Sequence, residues 1–145
     1  MSGGYVLDAN VLFSAFISGK ELYTLLFSEQ SMYLPDFAFL ELEKYKKRIL
    51  KKTKLREEEF QEFILKLFSN VTVIPNLLLS EASLEQAYQL CREIDEKDTV
   101  YVAAAIELDL VLVTNDRVLY TGLRERSFSR IALLNDVVDT LPHMP

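Results

Sequence analysis

An apolar triplet, Tyr5–Leu7, lies between Gly3-Gly4 and Asp8 and has the length of a short buried strand. Behind it, apolar positions recur at helical spacing over Asn10–Ile17 and Lys20–Phe27, two short helices parted by Ser18-Gly19. Met32–Leu34 reads as a strand ended by Pro35, and the series Phe39, Leu42, Tyr45, Ile49, Leu50 predicts a helix opened by Asp36 as N-cap. A helix over Arg56–Phe68 would place Phe60, Phe63, Ile64 and Leu67 on one face, and the β-branched run Val71–Ile74 is a strand stopped by Pro75. Ser80 or Ser83 opens the next helix, through Leu84, Ala87, Tyr88 and Cys91; Ser83 with Gln86 fits a capping box. Asp98 begins another, whose VYVAAAIEL is apolar almost all round and is expected to be buried. Leu110–Val113 is a continuous apolar run, the pattern of a strand covered on both faces. Arg130–Leu134 gives a last strand before Asn135–Leu141.

Strands alternating with helices predict a parallel sheet inside a three-layer α/β/α sandwich. No internal repeat, linker or shift in composition divides the chain, so residues 1–145 are expected to form a single domain. Phe13, Phe16, Phe27, Phe60 and Phe63, at helical spacing, are expected in the core.

Composition narrows the class. A chain of 145 residues, half of them hydrophobic, with four glycines and four prolines, can bury one sizeable core and is far from a disordered composition. The one cysteine, Cys91, has no partner for an internal disulfide, which points to a reducing cytoplasm. The N-terminal MSGGYVLD has neither the basic nor the apolar region of a signal peptide, and no apolar run approaches the roughly 18 residues of a membrane span. A soluble cytoplasmic protein is the expectation.

The net charge of −6 conceals a local reversal, because eight of the sixteen basic residues lie within Lys44–Arg56. Lys44, Lys47, Arg48 and Lys51 are the candidate phosphate contacts there. Taken alone, such a run reads as a solvated helix face balanced by Glu57, Glu58 and Glu59. Tyr45, inside it, suits core-edge packing and a stacking platform equally well.

Open parallel sheets bind ligands beyond the carboxyl ends of their strands, where strand order reverses. Asp8 follows the first strand and Asp116 follows Leu110–Val113, so neighbouring strands would bring both carboxylates to one crevice. Asp98 opens the buried helix, and Glu41 lies among apolar residues on a helix near the same edge. Four carboxylates gathered there would repel unless a cation neutralised them or some stayed protonated. Hard oxygen donors in that number suit Mg²⁺ or Mn²⁺. Structural zinc is excluded by one Cys and one His, nucleophilic catalysis through His143 is weak, and no Gly-rich phosphate loop occurs. Each acid also has a plain structural use: Asp8 with Asn10 as a turn or cap, Asp98 or Asp95 as an N-cap, Asp116 as a turn residue. Taken singly, Glu41 reads as a solvated helix residue, with Glu43 an equal candidate for any ligand role.

The ordered set of Asp8-Ala9-Asn10 after the first strand, Glu41 on an early helix, Asp98 with Ala103–Ala105, and Thr114-Asn115-Asp116 after a later strand resembles the PIN-domain family of nucleases. Order, spacing and strand context carry the likeness, which runs from about Tyr5 to Leu134. It implies a three-layer sandwich that cleaves RNA, with Asp8, Glu41, Asp98 and Asp116 as catalytic acids. Asp8, Asp98 and Asp116 would hold Mg²⁺ or Mn²⁺, and Asn10, Thr114 and Asn115 would orient ligands or water. Small members of the family, toxins of the VapC type among them, are often held inactive by an antitoxin protein and commonly form homodimers. Two rivals belong to other classes. One is an RNA- or protein-binding module of the same fold without activity. The other is a phosphatase with an Asp nucleophile, which needs a second acid where this chain has Asn10.

Overall fold

Val6, Leu7, Leu112 and Val113 have no exposed surface. The strands that carry them need cover on both faces, the condition under which parallel sheets form. In the computed structural model, which describes residues 3–141, β1 (Tyr5–Leu7) pairs in parallel with β2 (Met32–Pro35) and with β4 (Val111–Thr114). β3 (Val71–Ile74) lies outside β2, and β5 (Ile131–Leu133) lies outside β4, giving the order β3-β2-β1-β4-β5. Strand order therefore reverses between β1 and β4. Their register, Leu7 opposite Val113, sets Asp8 beside Thr114 at the carboxyl edge.

Helices α1 (Ala9–Ser18), α2 (Glu21–Glu29), α3 (Phe37–Lys44), α4 (Lys46–Lys52) and α5 (Glu57–Phe68) lie on the connections that move from β1 toward β3. Helices α6 (Glu81–Cys91), α7 (Thr99–Leu108) and α8 (Arg117–Glu125) lie on connections running the other way, toward β5. Right-handed crossovers put the two groups on opposite faces of the sheet. α1 accordingly packs on α3, α4 and α5, while α6 packs on α7. A short α9 (Leu134–Val138) follows β5. The result is the three-layer α/β/α sandwich expected from the sequence. Tyr101–Ala105 of α7 are buried all round, as their apolar run predicts. Phe16, Phe27 and Phe63 are buried, and Phe13 and Phe60 pack against the core half-covered.

Local differences from the expected elements have identifiable causes. The predicted helix from Asp36 is two helices, because Tyr45 leaves the helical region (φ −103°, ψ 9°) and seats its ring edge-on against Phe13. Asp36 makes no cap bond; its Oδ2 accepts from Asn76 N at 3.2 Å, tying the start of α3 to the end of β3. Pro35 is the last residue of β2 rather than its stop. Ser80, not Ser83, caps α6: its Oγ accepts from Ser83 N at 3.1 Å, which puts Ser83 inside the first turn. A 3-10 turn, Glu96–Asp98, precedes α7. α8 is absent from the sequence reading, since a nine-residue helix that buries only Leu119 and Leu123 gives a thin apolar stripe. Its internal Gly122 sits where a Cβ would lie 2.6 Å from Ile94 Cδ1, so close approach of α8 to Ile94 requires it. The segment Asn135–Leu141, given no structure from the sequence, contributes to α9, which starts at Leu134 and ends at Val138; His143 lies outside the described residues.

Gly19 ends α1 in the left-handed region (φ 64°), with its N–H on Ala15 O, and a Cβ there would stand 2.5 Å from Leu55 Cγ. Gly19→Ala is expected to lower unfolding stability by about 1–2 kcal/mol, read as a lower urea midpoint. A midpoint equal to that of the parent chain would refute the assignment of this cap.

Candidate functional site

Asp8 leaves β1 with its N–H on Val113 O at 3.1 Å, so the ladder with β4 carries its side chain into the crevice. The carboxylate is 5% exposed. Thr114 Oγ1, itself fully buried, donates to Asp8 Oδ2 at 2.8 Å, and Asn10 Nδ2 donates to the same oxygen at 3.1 Å. Asn10 N reaches Asp8 Oδ1 at 3.4 Å, which caps α1. The Thr114 hydroxyl also accepts from Asp116 N at 3.0 Å, and Asn10 Oδ1 accepts from Asn115 N at 3.2 Å. Asn115 Nδ2 in turn donates to Ser14 Oγ at 3.1 Å. Asp8, Asn10, Thr114, Asn115 and Asp116 thus form one bonded network across the β1–β4 junction.

Asp116 caps α8 through Oδ1, which accepts from Val118 N at 2.9 Å and Leu119 N at 3.1 Å. Oδ2 takes no part in that cap. Asp98 stands at the start of α7 and makes no cap bond; Asp95 accepts from Lys97 N instead. Glu41, half-buried on α3, accepts a short hydrogen bond from the buried Tyr101 hydroxyl of α7. All four acids line one cavity of about 420 Å³, together with Asn10. Glu43 lies elsewhere, on the rim of an apolar groove of about 240 Å³ lined by Phe16, Phe39, Leu42, Phe60 and Phe68. That groove is lined mostly by apolar side chains, whereas the other cavity gathers the four acids.

Of the four basic residues singled out from the sequence, Arg48 lines the acid cavity; Lys44 lines a smaller neighbouring one, and Lys47 and Lys51 line neither. Lys52, Lys97, Asp95, Tyr45 and Phe13 also line the acid cavity and were not assigned a place in the site from the sequence. Helical spacing could have found one of them, since Lys52 follows Arg48 by four positions; Tyr101, which bonds Glu41 from outside the lining, follows Asp98 by three.

The donor set fits a hard divalent cation in kind: carboxylates, a hydroxyl and an amide, with no competing soft ligand in the cavity. Among the described residues the ion pairs lie elsewhere, at Arg56–Glu59, Arg126–Glu93 and Arg130–Asp109, so none of the four acids is neutralised by contact. The acids ring a space rather than enclose a point. No three carboxylate, imidazole or thiol groups among the described residues converge into a ready-made cage.

Comparison with known proteins gives one family and a set of folds. The family model described as PIN domain matches residues 6–135. Among solved structures, a protein from Pyrobaculum aerophilum is 16% identical with a TM-score of 0.66, over 96% of this chain and 95% of that one. A chain of a toxin-antitoxin complex from Klebsiella pneumoniae is 17% identical with a TM-score of 0.59, over 89% and 96%. A chain of VapBC2 from Rickettsia felis, solved bound to a DNA fragment from its promoter, is 18% identical with a TM-score of 0.50, over 89% and 96%. No curated protein matches the chain in sequence.

Charge is held at the cavity against its own repulsion. Burial pushes the Asp8 carboxyl up to about 6, resisted by the bonds from Thr114 and Asn10, and Glu41 and Asp116 add to the rise. Asp98 is pushed to about 8, first by burial and then by Asp8, Asp95, Asp116 and Glu41. Burial and the bond to Glu41 raise the Tyr101 hydroxyl. For both aspartates the folded state binds protons more tightly than the unfolded chain, so stability without divalent cation falls as pH rises, from about 4 through about 6 for Asp8 and about 8 for Asp98. Asp98→Asn removes the second penalty. In EDTA its melting temperature should exceed that of the parent chain, by more at pH 8 than at pH 5. An equal or smaller gain at pH 8 would refute this account of the cavity.

Proposed function

The chain belongs to the PIN-domain family, and on that footing we propose that it is a divalent-metal-dependent endoribonuclease that hydrolyses RNA phosphodiester bonds. The observation that carries the reading is the meeting of Asp8, Glu41, Asp98 and Asp116 on one cavity at the β1–β4 junction, where no Lys or Arg of the described residues pairs with them. Asp8, Asp98 and Asp116 are the residues that would hold Mg²⁺ or Mn²⁺, with Glu41 at the edge. When bound, such an ion would lower the pKa of the attacking water and stabilise charge on the phosphate and the leaving oxygen.

The chain's own residues prepare that chemistry. Thr114 and Asn10 fix Asp8 Oδ2, leaving Oδ1 with a single long bond at 3.4 Å and lone pairs to spare. Tyr101 fixes Glu41, and the cap on α8 fixes Asp116 through one oxygen only. Crowded carboxylates repel an RNA backbone until their charge is offset, which would make cutting depend on the ion at the binding step as well as the chemical one. Arg48, Lys52 and Lys97 on the cavity wall would draw phosphates toward the acids.

The same reading makes the protein the toxin of a toxin-antitoxin pair. Two neighbours carry names of such assemblies, which supports an antitoxin protein as partner. Exposed Leu40, Leu50 and Leu65 offer apolar surface for it or for a second copy. Among the described residues no helix is long and apolar enough to cross a membrane, in keeping with a site of action in the cytoplasm.

The test is cleavage of a labelled mixed-sequence RNA in EDTA, Mg²⁺ or Mn²⁺. Cutting is expected with either ion, none in EDTA, and none above background for Asp98→Asn or Asp8→Asn. Thr114→Val should raise the Mn²⁺ concentration needed by about 10–100-fold while leaving the ligands in place. Cutting that survives Asp8→Asn in a folded protein would overturn the assignment. No cutting with any ion, and no heat of Mn²⁺ binding, would favour a binding module of this fold.

A further inference from the structure

Tyr45 interrupts the α3–α4 helix, and the break decides which basic side chains meet the acids. Along the second helix, Tyr45, Arg48, Ile49 and Lys52 fall at positions i, i+3, i+4 and i+7, one face, and all four line the acid cavity. On α1, Phe13 and Ile17 stand one turn apart and line it too. The cavity therefore brings an aromatic pair and several cations together with the four carboxylates.

Phe13 meets Tyr45 in a T-shaped contact, with centroids 5.3 Å apart at 71°. Lys44 Nζ and Arg48 Cζ lie over the Tyr45 ring, 5.5 and 5.8 Å from its centroid, exposed long side chains that a stacking base would displace toward its own phosphate. Tyr45, Glu41 and Lys97 also border the neighbouring cavity of about 200 Å³, so the ring forms part of the partition between two recesses. Binding of an ion and a phosphate alone makes no use of a half-buried aromatic wall. A planar, anionic ligand uses both parts of it: a base stacks on the ring, and its phosphate meets the cations.

We propose that Tyr45, backed by Phe13, is the stacking platform for one nucleobase of single-stranded RNA next to the bond cut, with Arg48 and Lys52 taking that nucleotide's phosphate. This deepens the ribonuclease reading and rests on it. It makes Tyr45 a substrate-positioning residue that tolerates any base, because every base presents a π-face.

Equilibrium binding of a short fluorescent single-stranded RNA to the Asp98→Asn protein, which leaves the RNA intact, tests the subsite without cleavage. Tyr45→Leu, which keeps apolar volume against Phe13, should weaken binding about tenfold, and Tyr45→Phe should recover most of the loss. An abasic nucleotide walked along the RNA should cost a similar factor at one position with Tyr45 present, and nothing further with Leu there. Replacing Arg48 and Lys52 by Gln should flatten the plot of log affinity against log salt by about 0.7, one single-strand phosphate contact. In the cleaving protein, Tyr45→Leu should raise KM and leave kcat.

Unchanged affinity in a folded Tyr45→Leu protein, or Tyr45→Phe binding as weakly as Leu, would overturn the subsite. Should Tyr45→Leu fail to fold, the abasic scan on the Asp98→Asn protein decides, and the absence of a sensitive position refutes the platform. The two readings separate cleanly. RNA binding that depends on Tyr45 in a protein that never cuts would retain the platform and refute the nuclease. Cutting with a KM indifferent to Tyr45→Leu would do the reverse.

Discussion

The carboxyl edge of the sheet depends on one buried hydrogen bond, from Thr114 Oγ1 to Asp8 Oδ2 at 2.8 Å. A carboxylate taken out of water without a donor would cost several kcal/mol or simply stay protonated. Here the donor comes from the adjacent parallel strand, so the charge can be held only where β1 and β4 are neighbours. The same hydroxyl accepts from Asp116 N, and through it the position of one acid fixes the position of the next. Asn10 repeats the arrangement from α1, bonding Asp8 with its amide nitrogen and Asn115 N with its oxygen. A strand order that reverses at this junction and a site that opens there are two consequences of one pairing.

Crowding explains the rest of the cavity. Asp98 sits near the carboxylates of Asp8, Asp95, Asp116 and Glu41, and each of them raises its affinity for a proton. The apolar run Tyr101–Ala105, buried beneath, keeps water from screening that repulsion. Cys91, in the same interior, is pushed up to about 12 by burial and by Asp98 and Asp95, so its thiol stays protonated. Arg48 and Lys52 of α4 line the same cavity, and no ion pair among the described residues ties them to the four acids.

Much of this was legible in the sequence because the central strands and α7 bury all their faces, leaving apolar runs that admit few other readings. Asp8 and Asp116 could be placed because each ends such a run. Where the sequence misled, the deciding contact was non-local. Asp36 would cap α3 on local rules, yet it bonds Asn76, forty positions on. The choice between Glu41 and Glu43 depends on which one meets Tyr101, sixty positions away. α8 has no counterpart in the sequence reading because two buried leucines are too few for a periodic signal. The break at Tyr45 was hidden because apolar residues on both sides keep helical spacing. Only the backbone shows that the register restarts, and that restart is what turns Arg48 and Lys52 toward the acids.

The competing explanation for acids at strand ends is that they cap helices, and the structure shows how far it reaches. Asp8 caps α1 and Asp116 caps α8, so for these two the structural and chemical uses coexist. One oxygen of Asp116 serves the cap, and the other is left for a ligand. Asp98 has no such use: it bonds no backbone amide of α7, and Asp95 caps only the 3-10 turn before it, through Lys97 N. Burial, and after it the neighbouring carboxylates, raise its affinity for a proton further than that of Asp8. A side chain that does nothing for its helix, and whose charge is opposed by everything around it, is a cost to the fold. Under the proposed reading a cation at this cavity would remove that cost by giving the carboxylate a partner, so the least structurally employed acid is the one with most to gain from it.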